Sequence, residues 1–347
     1  MEFKIKSISD AKVKNKKVFV RLDFDVPIKD GLIIDESRLL SGLETIKYLL
    51  DNGATVIAGG HIGRPEGADK NYSTEIITKW LHKKFLDTKI TKDKLKDFEC
   101  FKLNKNFYVL ENLRFDIREE ENSLKFSKEL ADLAQVYVNE AFSVTHRKHA
   151  SIFGIAKLLP SFAGYHLIKE IKILNKVVLN PSRPFTVIIG GAKIDTKLPL
   201  ISKMHKVADF VLVGGELATQ TETLIKEQHK KISGQKAMLL VAELTENKYD
   251  ITLNSVRNFE EVIDRSSTIV WNGPMGFFEE NYIEATVELA KIINKSNAYK
   301  VIGGGDTVGF LSKKGLLSNF DLISVGGGAM LEFLSGEKLP GLEALEN

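Results

Sequence analysis

Short runs of β-branched and aromatic residues recur along this chain of 347 residues, each separated from the next by a longer amphipathic stretch, and no other feature restricts the fold as much. The runs fall at 17–21, 55–58, 107–110, 136–138, 186–189, 210–213, 268–271, 300–302 and 322–325. Helical patterns lie between them at 37–52, 74–85, 123–133, 198–207, 255–263, 283–294 and 308–313, several opening on Ser or Thr as a cap. Strands alternating with helices build parallel sheets covered on both faces. The length exceeds what one hydrophobic core usually serves, so the expectation is an α/β chain of two doubly wound domains, each a parallel β-sheet flanked by helices.

A joint between them is also readable. Residues 165–179 are apolar at Leu167, Ile168, Ile171, Leu174 and Val178, and the pattern stops at Asn180-Pro181-Ser182-Arg183-Pro184. This predicts a hinge helix closed by a proline-bounded linker. The expected domains are therefore 1–164, a joining segment 165–184, a second domain 185–330, and a C-terminal segment 331–347 that packs back on the first domain.

Composition removes several classes. Forty-nine basic and 46 acidic residues leave a net charge of +3, with lysine spread along the whole chain, which is too balanced for a nucleic-acid binder. Cys100 is the single cysteine, so there is no internal disulfide and no Cys/His cluster with zinc spacing. The opening Met-Glu-Phe-Lys-Ile-Lys lacks a signal-peptide core, and no uncharged apolar stretch approaches 18 residues. The expectation is a cytoplasmic protein that does not engage membranes.

In open parallel sheets ligands bind beyond the carboxyl ends of the strands. In the first half those ends are basic: Arg21 with Asp23 and Asp25, then Arg38, His61 with Arg64, Arg114, and finally His146, Arg147 and His149. Arginine is scarce here, yet it gathers where its planar fork can grip carboxylates and phosphates. Any one arginine alone reads equally as a surface ion pair, and any one histidine as structural. Together the five arginines read as a pocket for a small polyanion.

In the second half the ends are glycine-rich: Gly190-Gly191-Ala192-Lys193, Gly214-Gly215-Glu216, Asn272-Gly273-Pro274-Met275-Gly276, Gly303-Gly304-Gly305-Asp306-Thr307 and Gly326-Gly327-Gly328-Ala329. Glycine lets backbone N–H groups close on phosphate oxygens at helix starts. One such turn is ordinary steric economy; five on one sheet point to a polyphosphate. Lys193 and Lys197, four apart, share a helix face that brackets phosphates or is merely solvated. Asp306 suits a magnesium ion, although it or Thr307 would serve equally as a helix cap. There is no Gly-x-x-x-x-Gly-Lys-Ser/Thr, and 303–309 gives only a degenerate dinucleotide match, so neither a P-loop enzyme nor a dehydrogenase is favoured.

The motifs Arg21-Leu22-Asp23-Phe24-Asp25-Val26-Pro27, Gly60-His61-Ile62-Gly63-Arg64-Pro65, Glu111-Asn112-Leu113-Arg114-Phe115, Asn139-Glu140-Ala141-Phe142, Gly190-Gly191-Ala192-Lys193 and Trp271-Asn272-Gly273-Pro274-Met275-Gly276 resemble, in the same order, those of phosphoglycerate kinases. The resemblance runs nearly end to end. It implies a reversible phosphoryl transfer between 1,3-bisphosphoglycerate and ADP, giving 3-phosphoglycerate and ATP, with Mg2+ as cofactor, by a monomer that closes on its hinge. It further implies that Asp23, Asp25, Arg38, His61, Arg64, Arg114 and Arg147 hold the phosphorylated acid. On the nucleotide side it assigns Gly191, Ala192, Lys193, Lys197, Gly215, Asn272, Pro274, Glu279, Gly305, Asp306 and Thr307, with Asp306 on the metal. Arg38, Lys197, Gly327 and Gly328 would attend the migrating group. The alternative is a non-catalytic or nucleotide-relaxed paralogue acting as a binding or regulatory protein.

The chain departs from the family pattern at particular places. Asp25 stands for Asn, Val325 for Thr, Ser143-Val144 for Gly-Thr, and Glu216 for the third glycine of its turn. The stretch 233–265 is short, and Asp250-Ile251-Thr252-Leu253-Asn254-Ser255 replaces the usual Asp-Ile-Gly-Pro-x-Thr. These changes predict a reduced wall around the base and relaxed base selectivity, with transfer chemistry retained.

Overall fold

The computed structural model describes residues 4–85, 89–191, 194–218 and 237–346. The chain divides into two compact units, one of residues 2–171 with 338–347, the other of 172–337 with residue 1. The division falls inside the helix Tyr165–Leu179, which starts and stops where the apolar periodicity does.

The N-terminal unit is built on β1 (Lys17–Arg21), a small hairpin of β2 (Ile28–Lys29) and β3 (Leu32–Ile33), β4 (Thr55–Gly59), β5 (Thr91–Leu95), β6 (Phe98–Asn104), β7 (Phe107–Leu110), β8 (Val136–Asn139) and β9 (Ser161–Ala163). The main sheet runs β5-β6-β7-β4-β1-β8-β9. From β7 through β9 all neighbours are parallel, with Arg21 in register with Gly59 and with Asn139. Val18, Phe19, Val20, Val56, Ile57, Val136 and Val138 are buried, alternate residues on both faces of the central strands alike, as in a sheet covered on both sides.

One expectation needs correcting. The sheet is not wholly parallel: β5 and β6 pair antiparallel, and β6 pairs antiparallel with β7. The sequence Thr91-Lys92-Asp93-Lys94-Leu95 is polar because this edge strand is exposed, so it carries none of the apolar signal of the interior strands.

The C-terminal unit contains β10 (Phe185–Ile189), β11 (Phe210–Val213), β12 (Met238–Val241), β13 (Thr268–Asn272), β14 (Tyr299–Gly303) and β15 (Leu322–Ile323). Its order is β12-β11-β10-β13-β14-β15, with every neighbouring pair parallel. All five residues of β10 and of β13 are buried. The helix Leu253–Ile263 shows how local signals agree here: the Thr252 hydroxyl caps it by accepting from Ser255 N, and Val256, Phe259, Val262 and Ile263 put one apolar face into the core. Since all six strands point the same way, the turns that follow them open at one edge of the sheet.

The last residues contribute to the N-terminal unit. Gly341 N donates to Thr145 O at 2.8 Å, and Leu339, Leu342 and Leu345 are buried. Among the described residues no helix is long and apolar enough to cross a membrane.

Candidate active site

The basic half-site lies where β1, β4, β7 and β8 end. These four strands are parallel neighbours, so the residues after each of them meet. Asp23 is buried and accepts a hydrogen bond from Ser143 Oγ, while Arg38 Nε lies 3.5 Å from its Oδ2. Arg38 NH1 donates to the Asp25 carbonyl at 2.7 Å. The Asp25 side chain accepts from Gly63 N at 2.9 Å and faces Arg38 and His61 at 3.8 and 3.9 Å. The carboxylate that departs from the family's Asn is thus tied to the loop after β4 and flanked by two basic groups.

Arg114 is buried beside His61; its NH1 donates to Gly63 O at 2.6 Å and its NH2 lies 3.0 Å from Glu120. Burial, then the charges of Arg21, Arg114, Arg147 and His149, push the His61 pKa well below its ordinary value. Burial and Arg147 bring His146 down to about 4. Burial together with Arg114, Arg21, Arg147 and His146 brings His149 down to about 3. All three rings are therefore neutral near pH 7, and the positive charge of the site resides in its arginines.

The structure brings Asp23, Asp25, Arg38, His61, Arg114 and Arg147 into this cluster. Arg64 is not tied into it: it is exposed on the loop after β4, and its side chain makes no ion pair among the described residues. Sequence reasoning overlooked Glu119 and Ser151, which are buried beneath the cluster and hydrogen bonded to each other. Neither carries a positional signal at a strand end.

The second half-site is a cavity of about 640 Å³ in the C-terminal unit. Gly191, Lys197, Gly215, Pro274, Glu279 and Asp306 line it, all anticipated from sequence. Ala192 and Lys193 lie outside the described residues. Lys197 is buried and its ammonium donates to Gly190 O. Gly191, Gly215 and Gly273 have φ of +91°, +66° and +94°, and a Cβ on Gly215 would sit 2.7 Å from Gly191 N. These turns approach one another more closely than any side chain permits.

Asn272 ends β13 and Thr307 lies in the first turn of the helix Gly305–Lys313, whose start Gly305 is exposed. Asn272 Nδ2 and Thr307 Oγ1 are buried with no hydrogen-bond partner among the described residues. Each such orphan costs roughly 1–3 kcal/mol unless a ligand satisfies it. Gly327, with φ of +49°, precedes the helix Gly328–Leu334 and has open space where a side chain would be.

The cavity also has an aromatic wall where sequence predicts a depleted one. Leu244, Tyr249, Phe277 and Phe278 line it. The Tyr249 ring lies 6.0 Å from that of Phe277 and 4.8 Å from that of Tyr282, tilted by 41° and 36°, and Tyr249 and Phe277 are 47% and 43% exposed. Phe277-Phe278, directly after Gly276, was the available signal.

Magnesium accompanying a nucleotide fits this donor set. Asp306 supplies a hard oxygen, and the ion's remaining ligands would be phosphate and water. No group of three or more acidic, His or Cys side chains able to cage a metal occurs among the described residues.

Comparison with known proteins gives consistent results. A family model described as phosphoglycerate kinase matches residues 8–247 and 227–337. The phosphoglycerate kinase of Finegoldia magna is 39% identical over 394 aligned residues, covering 98% of this chain and 99% of that one. That of Nitratiruptor sp. is 37% identical, covering 99% and 98%. Among solved structures, phosphoglycerate kinase from Coxiella burnetii superposes with a TM-score of 0.83 at 30% identity over 98% of both chains. The 394 aligned positions exceed the 347 residues here, so that relative carries segments this chain lacks. The two matched pieces meet at 227–247, which overlaps the stretch read as shortened.

Proposed function

Because this chain belongs to the phosphoglycerate kinase family and is a kinase of that class, we propose that it transfers the acyl phosphate of 1,3-bisphosphoglycerate to ADP, and runs in reverse from 3-phosphoglycerate and ATP. The carboxyl and phosphate groups of the acid lie against Arg38, His61, Arg64, Arg114 and Arg147, with Asp23 and Asp25 orienting Arg38. The nucleotide phosphates lie along the glycine turns, where Lys197, Asn272 and Thr307 face them and Glu279 takes the ribose.

The observation that carries this reading is the pair of buried donors without a partner among the described residues, Asn272 Nδ2 at the end of β13 and Thr307 Oγ1 in the helix after the neighbouring β14, beside a cavity lined by Lys197 and Asp306. A phosphate chain supplies both with acceptors.

The chemistry needs no covalent intermediate. A terminal oxygen of ADP bonds to the acyl phosphorus as the carboxyl oxygen leaves as carboxylate, and positioning and charge neutralisation provide the rate. Arg38 and Lys197 neutralise the migrating group, and Gly327 and Gly328 leave their backbone N–H groups open to it. Asp306 would hold Mg2+, which screens phosphate charge when bound. Acid and nucleotide bind to different units, so transfer requires their approach with water excluded, and the helix Tyr165–Leu179 is the hinge we assign.

A coupled assay of ATP formation from 1,3-bisphosphoglycerate and ADP tests the reading. Lys197→Ala is expected to lower kcat by roughly 100- to 1000-fold with 3-phosphoglycerate binding retained. A wild-type protein that binds both substrates and turns neither over would instead establish a binding module.

A further inference from the structure

Arg21 ends β1 like the other arginines of the basic half-site but is fully buried, and its guanidinium is committed within the protein. Its Nε donates to Ser151 Oγ at 2.9 Å, its NH1 to Leu22 O, and its NH2 meets His61 Nδ1 at 2.7 Å. Beneath it Ser151 donates through both N and Oγ to the buried Glu119, so the arginine's charge is balanced through one hydroxyl. Each of the three nitrogens of Arg21 is thus engaged by a group of the protein itself.

A guanidinium has donors only. The His61 nitrogen facing it must therefore be an acceptor, which places the ring proton on Nε2 and leaves the ring neutral. Protonating Nδ1 would set two N–H groups against each other at 2.7 Å. The Nε2 side of the ring lies toward Asp25, 3.9 Å away.

We propose that Arg21 is a positioning residue that locks His61 as the neutral Nε2–H tautomer, so that His61 presents a fixed hydrogen-bond donor to the phosphorylated acid. The charged and titratable groups around the ring come from every neighbouring strand end: Arg21 and Asp25 after β1, Arg114 after β7, and Arg147 and His149 after β8. Arg21, Arg114 and Arg147 all oppose a second proton on the ring, and Asp25, 3.9 Å away, favours it. Acid affinity through His61 is accordingly insensitive to pH across the range in which a free imidazole titrates. The substrate contact rests on the function proposed above; the tautomer does not.

Long-range proton–nitrogen correlation spectra of the 15N-histidine-labelled chain without ligand test the tautomer directly, with His61 assigned by loss of its signals in His61→Asn. The expected wild-type pattern is an unprotonated Nδ1 and a protonated Nε2, unchanged from pH 8 to 5.5. A protonated Nδ1, mixed tautomers, or titration within that range would overturn the proposal. Arg21→Met combined with Glu119→Gln, which leaves no lone buried charge, should give His61 mixed tautomers. Arg21→Lys, which also offers only donors, should restore the wild-type pattern in part. An unchanged His61 spectrum in the double variant would refute the role of Arg21. In steady-state kinetics the KM for 3-phosphoglycerate should rise at least fivefold in the double variant, with the KM for ATP within twofold of wild type. If the spectra behave as expected and the KM for the acid does not move, the lock stands and the substrate contact of His61 falls.

Discussion

Glu140 is the most informative single residue to titrate. It follows β8, is 1% exposed, and accepts from Thr45 Oγ1 at 2.6 Å and from the N–H groups of His166 and Leu167 at 3.1 and 3.0 Å, capping the helix Tyr165–Leu179. Burial raises its pKa to about 7 from an ordinary 4.5, although the bonds from Thr45, Leu167 and His166 pull the other way. Between these two values the folded protein holds the proton more tightly than the unfolded chain. The group's stabilising contribution is therefore complete below pH 4.5 and is lost as pH rises through about 7. The interval corresponds to about 3 kcal/mol. Glu140→Gln is nearly isosteric and cannot titrate, so the stability of wild type relative to this variant should improve by about 3 kcal/mol from pH 7.5 to 4.5. His146 and His149, lowered to about 4 and about 3, destabilise both proteins equally in acid and cancel in the difference. Urea unfolding measures it, with Trp80 fluorescence read in a Trp271→Phe background so that only the N-terminal unit reports. A difference that stays constant across this pH range would show that burial does not dominate at Glu140, and the reasoning would fail.

Further outcomes follow from the second half-site. Gly215→Ala places a Cβ 2.7 Å from Gly191 N at a φ of +66°, and should cost about 1–3 kcal/mol in stability while raising the KM for nucleotide; unaltered nucleotide kinetics would contradict the close approach of these turns. If Tyr249 and Phe277 hold the base by stacking, calorimetric titration should find ADP, GDP and IDP binding within about tenfold of one another, whereas tight binding of ADP alone would refute relaxed selectivity. Tyr249→Ala should weaken all three by about 1–3 kcal/mol. Asp306→Asn should raise the Mg2+ concentration needed for half-maximal turnover, read from a magnesium titration at fixed ADP, with the KM for the acid unchanged.

How much of this was legible beforehand depended on whether a residue's environment could be inferred from its neighbours in the chain. Strands such as β10 and β13 are buried on both faces, so their apolar runs announce them, and the polar or glycine-rich residues that follow necessarily meet at one sheet edge. The exposed edge strand β5 carries no such signature, because solvent rather than packing selects its residues. The aromatic wall was missed for another reason: Tyr249 and Phe277 lie on separate loops, and the backbone bond from Phe277 N to Tyr249 O at 2.8 Å that joins them is a tertiary fact.

The arginines show the same limit at finer scale. By residue type, Arg21 at the end of β1 and Arg38 on the next helix are two basic residues of one half-site. The pleat of β1 turns the first inward, where burial without partners would cost several kcal/mol and where Ser151, Leu22 O and His61 therefore engage its donors. Arg38, on the following helix, is partly exposed and flanked by Asp23 and Asp25. Residue type and spacing identify a polyanion site, but the division of labour inside it, one guanidinium shaping a histidine and another set toward the ligand, is decided by which donors burial has already consumed.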